Sequence, residues 1–132
     1  MDFEFYVLHS TRPVYSFING QPIFGKEERV LVSGFLSALD SFAQSTMKGE
    51  IESLNLSNSR IYFRRDDVML LIVVTYAHEF LGNVKGFFNG LTPIVRGLAD
   101  ALTKVPIPAG QRSLLEQAIQ ERKELLDPRE VV

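Results

Sequence analysis

The stretch VMLLIVVTY, residues 68–76, constrains the fold more than any other, because it is apolar without the alternation of a half-exposed strand. A run of this length and composition is typical of a central β-strand that is covered on both faces. The 132 residues, 45% of them apolar, are enough to build one such core. We predict a single domain over residues 1–132, with a core over 3–104 and a C-terminal helix over 111–127.

Four more segments are rich in aromatic and β-branched residues and are bounded by turn residues, so they predict strands. They are FEFYVLH (3–9), VYSFI (14–18), IESLNLS (51–57) and RIYFRR (60–65). Turns are predicted at STRP, Asn58-Ser59 and Asp66-Asp67. Asn19-Gly20 is a strong hairpin signal, and Pro22 would restrict a following strand to a sheet edge. Whether residues 21–25 form that extra strand is left open by the sequence.

Three segments carry apolar residues at helical spacing and predict helices over 26–47, 79–102 and 112–126. Pro93 removes one hydrogen bond from the second helix, and we expect a kink near Gly90 rather than a break, because the apolar phase continues beyond it. The element order is ββαβββαα. We therefore predict an α+β fold, a five-stranded antiparallel sheet with helices on both faces.

The first predicted helix is apolar over roughly 240° of its circumference, against the ~100° or more of an ordinary surface helix. One side is expected to dock on the sheet and comprises Val30, Leu31, Gly34, Phe35, Ala38 and Phe42. A further side comprises Val32, Leu36, Leu39 and Ala43. This further side needs a second cover, either a C-terminal helix of the same chain or a second subunit, and the pattern alone does not decide between them.

The second predicted helix is apolar on one side only, an arc of roughly 140°. That side comprises Phe80, Leu81, Val84, Phe87, Phe88, Leu91, Ile94, Val95, Leu98, Ala99 and Leu102. Gly82, Gly86, Gly90 and Gly97 lie on the opposite side. They mark either a solvent-facing helix that each Gly weakens by ~1 kcal/mol relative to Ala, or a packing groove for the final helix or a partner. Charged residues in the segment exclude a transmembrane span.

The sequence contains none of the common motifs of catalytic, metal or phosphate-binding sites. Its only two histidines, His9 and His78, are far apart and in neither an HxxxH nor an HExxH arrangement, so we expect satisfied or solvent-facing side chains. There is no cysteine, no GxxxxGKS and no GxGxxG. Ser33, Ser37, Asp40 and Ser41 lie within a predicted helix rather than at a nucleophile elbow. We predict a chain that is not an enzyme, with no catalytic, cofactor or metal site.

The net charge and the N-terminal sequence limit the partners and the cellular location that we expect. The formal net charge is −2 and the basic residues are scattered, which argues against a nucleic-acid partner. Arg64 and Arg65 beside Asp66 and Asp67 are expected to form a solvated hairpin tip. No signal-peptide pattern follows Met1, and together with the lack of cysteine this predicts a cytoplasmic protein.

Taken together, RPVYSF, VSGFLSALDSFA, EIESLNLSNSRIYFRRDD and VMLLIVVTY resemble a longin domain, over about residues 3–102. More narrowly, these segments are similar to the first longin domain of the Mon/Ccz and Fuzzy/Inturned group of Rab-activating proteins, and to single-domain archaeal longin-like proteins. Longin and related roadblock folds are non-enzymatic platforms that pair with one another, bind small GTPases and in several complexes promote nucleotide exchange. The resemblance implies a longin-like (profilin-like) sheet with the first helix on one face and the two C-terminal helices on the other.

In that arrangement the C-terminal helices cannot cover Val32, Leu36, Leu39 and Ala43, so the resemblance favours a partner subunit there. We expect a homo- or heterodimeric adaptor that binds a small GTPase, another longin or roadblock subunit, or a vesicle-trafficking complex, and that helps nucleotide exchange. Membrane association would be peripheral, through partners. The alternative is a small-ligand-binding sensory domain, because a sheet between helices, with ten Phe residues in the chain, can enclose an apolar pocket.

Overall fold

A computed structural model describes residues 1–10, 12–25, 34–35, 38, 41, 53–78 and 81–127. The chain divides into two compact units, residues 1–78 and 79–132. The first unit contains a five-stranded antiparallel sheet with strands β1 (Phe3–His9), β2 (Arg12–Asn19), β3 (Ser53–Asn55), β4 (Ser59–Asp66) and β5 (Met69–Tyr76). Their order across the sheet is β2-β1-β5-β4-β3. The α+β class and the five-stranded antiparallel sheet are as predicted.

Strand β5 is the centre of this sheet, as its composition predicts. It pairs with β1 on one edge and with β4 on the other. Residues 69–75 are each at most 3% exposed. Because successive side chains of a strand point to opposite faces, burial of every residue means that both faces are covered.

One face of the sheet carries a contiguous apolar cluster. Cross-strand register places Ile72 of β5 opposite both Tyr6 of β1 and Phe63 of β4. The full cluster comprises Tyr6, Leu8, Ile61, Phe63, Leu70, Ile72 and Val74, with Ile23, Phe24 and Leu54 packed against it. The loop after β2 therefore packs against this apolar cluster, and the edge strand β3 adds Leu54 to it.

The strand ends differ from prediction by one or two residues, for local reasons. Strand β2 begins at Arg12 instead of residue 14, and Pro13 is accommodated opposite Leu8 beside a register shift, as edge strands permit. The β4–β5 turn is one residue later than predicted, with Asp67 in the left-handed region at φ 54. Ser10, at φ 46, donates its N–H to the Val68 carbonyl at 2.9 Å, which joins this turn to the end of β1.

Residues 21–25 form no strand, which answers the question left open by the sequence. Gly20 has φ 77, and a Cβ there would overlap the Asp2 carboxylate, so the turn requires glycine. Asp2 Oδ1 accepts the N–H of Gln21 at 3.1 Å. The Glu4 carboxylate accepts the N–H groups of Ile23 and Phe24, the latter at 2.8 Å. Hydrogen bonds from the loop to the side chains of Asp2 and Glu4 thus take the place of the backbone hydrogen bonds that a sixth strand would make.

The second unit contains the helices α1 (Val84–Gly97), α2 (Ala99–Leu102) and α3 (Ala109–Arg122), followed by a 3₁₀ helix, Lys123–Leu126. Helix α1 corresponds to the second predicted helix. It begins later than predicted, because Asn83 caps it by accepting the Gly86 N–H at 2.7 Å. The helix continues through Pro93, and the interruption falls at Leu98. Nothing in the described part of this chain forms a helix long and apolar enough to cross a membrane.

The apolar side predicted for the second helix is correct wherever its residues are described. Phe87, Phe88, Leu91, Val95 and Leu102 are buried. The others are half-buried, and the described polar residues of the opposite side are exposed. Helical periodicity therefore identified which side of α1 is withdrawn from water.

Helices α1 and α3 run antiparallel to each other. The N–H groups of Gly82 and Asn83, just before α1, donate to the carbonyls of Leu126 and Leu125 at 2.8 and 2.6 Å. At the other end of the pair, Gly97 at the end of α1 and Leu114 near the start of α3 line one groove. The start of α1 therefore lies beside the end of the final helical segment, and these backbone hydrogen bonds fix the register of the helix pair.

We expect Glu4→Ala to lower the free energy of unfolding by roughly 2–3 kcal/mol, because it removes the acceptor of the Ile23 and Phe24 N–H groups from a fully buried position. Urea unfolding measures the loss, and amide hydrogen exchange at residues 23 and 24 should accelerate selectively. Glu116→Ala, at an exposed position of α3, is the matched control and should change stability by no more than about 0.5 kcal/mol. Equal effects of the two substitutions would contradict this role for Glu4.

Candidate functional site

The four described residues of the predicted first helix are exposed, and one of them is a large apolar residue, Phe35. Gly34, Phe35, Ala38 and Ser41 have helical backbone and all four are exposed. Phe35 is 59% exposed, and a Cβ added at Gly34 would have no other group within 4 Å. The prediction that Gly34, Phe35 and Ala38 dock on the sheet is therefore wrong.

The reason for this error is that the helix has two apolar sides in its sequence. Periodicity establishes that residues 34, 38 and 41 share one side and residues 32, 36, 39 and 43 the opposite one, at ~100° per residue. It does not establish which of two apolar sides faces inward. Val32, Leu36, Leu39 and Ala43, the predicted partner-facing residues, lie outside the described residues.

Gly82, Gly86, Gly90 and Gly97, here called the glycine stripe, lie in different surroundings. Gly82 precedes α1 and is bonded through its N–H to Leu126. Gly86 lies under the N-cap, where a Cβ would be 2.8 Å from Asn83 Cγ. Gly97 is exposed, with no other group within 4 Å of an added Cβ. These three positions therefore do not form one continuous contact surface.

At Gly90 a side chain of the final helix lies close to the stripe. An added Cβ would lie 2.7 Å from Nε and 2.9 Å from Cδ of Arg122. Arg122 is held there by its own helix, since its Nη1 donates to the Ala118 carbonyl at 3.0 Å. Gly90 thus fits the reading in which the glycines make room for the final helix, and Gly97 fits the reading of a solvent-facing helix. A partner helix on the stripe stays a prediction.

A cavity of about 470 Å³ opens in the first unit. Its described lining comes from three separate places in the chain: the loop after β2, the β3–β4 turn and the end of β5. The lining residues are Ile23, Phe24, Asn58, Ser59, Tyr76 and His78. The rings of Tyr76 and His78 are stacked at 5.5 Å between centroids with 20° between their planes.

The register of the sheet explains why these segments meet. Ser59 pairs with Tyr76 across β4 and β5. The Ala77 N–H donates to the Asn58 carbonyl at 3.0 Å, which extends the contact past the end of the ladder. The Tyr76 hydroxyl donates to the Pro22 carbonyl at 3.4 Å, a long hydrogen bond that joins β5 to the loop after β2.

The two histidines are not brought together. His9 pairs with Met69 at the start of β5, whereas His78 follows the opposite end of that strand. The described residues contain no group of three His, Asp or Glu side chains able to hold a metal ion. At the β4–β5 hairpin tip, Arg65 Nη1 donates to the Asp67 carbonyl at 3.2 Å, a local contact of the turn itself.

Comparison with known proteins adds no identity: no protein-family model matches the chain, and no curated protein sequence matches it. The longin resemblance therefore stays a prediction. The candidate sites that the structure supplies are the exposed helical surface around Phe35 and the cavity beside Tyr76.

We expect Gly97→Ala to stabilise the protein by up to about 1 kcal/mol, because the position is open and Ala is the better helix former. Gly90→Ala should gain less, since its Cβ displaces Arg122. In an Arg122→Ala background the Gly90 substitution should recover the difference, a coupling of about 0.5–1 kcal/mol. Urea unfolding of the four-variant cycle measures it. Complete additivity of the Gly90 and Arg122 substitutions would refute the close contact.

Proposed function

We propose that the chain is a non-enzymatic, longin-like adaptor of the cytoplasm, which dimerises and presents a surface to a small GTPase or a trafficking complex. The observation that carries the proposal is the 59% exposure of Phe35 on a helical segment. The five-stranded antiparallel sheet is compatible with a longin-like fold. In the proposed arrangement the first helix covers one face of the sheet and the C-terminal helices cover the other, in the order ββαβββαα.

The dimer contact is proposed on the side of the first helix that contains Gly34, Phe35 and Ala38. Fully burying a Phe side chain contributes about 1.5–3 kcal/mol, so removing this ring from water on association is a substantial driving force. Gly34 and Ala38 beside it are small, and small residues at a helix contact let two helices approach closely. The second subunit is another copy of this chain or a related longin or roadblock subunit.

This placement revises the predicted interface. On the helical wheel, Val32, Leu36, Leu39 and Ala43 lie opposite residues 34, 38 and 41. Phe35 itself lies ~40° from Leu39 on this wheel. Once Gly34, Phe35 and Ala38 are assigned to the partner, the side around Leu36 and Ala43 is therefore available to dock on the sheet. The proposal therefore exchanges the roles of the two sides and keeps the helix as the dimer element.

Promotion of nucleotide exchange needs no catalytic side chain. A protein that binds a GTPase more tightly in its nucleotide-free form than in its loaded form shifts the population toward nucleotide release. A rigid surface formed by a dimer is sufficient for this. The absence of a catalytic signature in the sequence is compatible with such an activity.

We expect Phe35→Asp to convert a dimer into a folded monomer, because it places a charge in the contact. Val105→Asp is the matched control, since Val105 is 92% exposed and belongs to the second unit. Light scattering coupled to size exclusion gives the mass, and circular dichroism reports folding. A wild-type chain that is monomeric at high concentration would refute dimerisation.

The variant Leu36→Asp separates the two assignments of the helix sides, because Leu36 lies ~100° from Phe35, whereas Leu39 lies only ~40° from it. If the Phe35 side is the interface, this variant should unfold or lose most of its stability. If the originally predicted side is the interface, it should be a folded monomer and Phe35→Asp should stay dimeric. A pull-down from the source cell, followed by nucleotide-release assays on any GTPase recovered, tests the partner class.

A further inference from the structure

We propose that the cavity lined by Phe24, Asn58, Tyr76 and His78 binds a neutral adenine-type base or nucleoside. The site lies apart in sequence from the proposed dimer surface and does not rest on it. Its volume of about 470 Å³ is within the range of about 300–1,000 Å³ found for small-molecule pockets. The small-ligand alternative drawn from the sequence assumed an apolar pocket, whereas this cavity combines aromatic and polar groups.

The polar groups of the lining match the edge of an adenine ring. A carboxamide such as that of Asn58 provides an acceptor and two donors, the combination that bonds the N6 and N7 edge of adenine. Within the part of the chain that the structure describes, the Asn58 carboxamide and the His78 imidazole make no hydrogen bond. Both residues are exposed, so their polar atoms are within reach of a ligand.

The aromatic groups of the lining match the faces of the ring. Tyr76 and His78 stack on each other, so a base would stack on the outer face of this pair, and Phe24 lines the same cavity. Stacking of a base on an aromatic side chain contributes about 1–3 kcal/mol. A planar heterocycle therefore gains from both the walls and the polar rim of the cavity, whereas an aliphatic ligand would use only the walls.

The charge of the lining indicates a neutral ligand. None of the described lining residues is Lys, Arg, Asp or Glu. Among these described lining residues a phosphate group would find no cationic partner, and charge-assisted hydrogen bonds are what phosphate sites normally use. This favours a base or nucleoside over a nucleotide.

The loop wall of the cavity is held in position before any ligand arrives. The backbone N–H of Phe24 donates to Glu4 at 2.8 Å, and the Glu4 side chain is fully buried. A fixed wall reduces the ordering cost of binding. We therefore expect Phe24 to contribute contact area rather than a closing motion.

Calorimetric titration of the whole protein with adenosine, AMP and uridine tests the ligand class. We expect saturable binding of one adenosine, at least tenfold weaker binding of uridine, and no tighter binding of AMP. Amide NMR should show adenosine-induced shifts concentrated at residues 58–59 and 76–78. No saturation by adenosine up to millimolar concentration, equal binding of uridine, tighter binding of AMP, or shifts confined to other residues would each overturn the proposal.

Variants test the contacts. Asn58→Ala should weaken adenosine binding about tenfold or more, and His78→Ala should weaken it by a smaller factor. Asn55→Ala is the matched control, because Asn55 is also exposed in the β3–β4 region but does not line the cavity. Unfolding midpoints establish that the variants are folded. Equal affinities of the Asn58 and Asn55 variants would overturn the assignment of Asn58.

Discussion

Strand β5 must be withdrawn from water on both faces and hydrogen-bonded on both edges, and the arrangement of the first unit follows from this requirement. Its two edges are taken by β1, from the start of the chain, and by β4, from the adjoining hairpin. The first of these pairings places Asp2 and Glu4 where the loop after β2 passes. The second places Asn58 and Ser59 beside the end of β5. The loop and the cavity therefore depend on the burial of one apolar strand.

The features that could be predicted from sequence are those that depend on local composition. The apolar run at 68–76 identified the central strand, and the single apolar side of α1 identified its buried residues. Segment 20–25 could not be predicted in this way. Asn19-Gly20 favours a hairpin locally, but carboxylates at positions 2 and 4 compete for the N–H groups that the extra strand would have used. That competition joins residues about twenty positions apart, so no window of the sequence contains it.

The candidate sites were predicted less well than the fold, for two physical reasons. A helix with two apolar sides has a periodicity that fits either side facing the core, and Phe35 was assigned to the wrong one. The cavity collects residues from three separate segments, and none of these segments has a pattern of its own. The glycines illustrate an intermediate case, since periodicity placed them opposite the buried side. Only the packing of α3 distinguishes Gly90, beneath Arg122, from the open Gly97.

The way in which Glu4 holds the loop has a consequence for how this protein can diversify. Its carboxylate recognises main-chain N–H groups, and every residue type except proline supplies one. The path of the loop is thus specified in part by a residue outside it, in addition to the packing of Ile23 and Phe24 on the sheet. Related chains could exchange Phe24 for another residue and acquire a cavity with different ligand preference on the same backbone. Proline at either position is the exception, because it would remove the group that Glu4 binds.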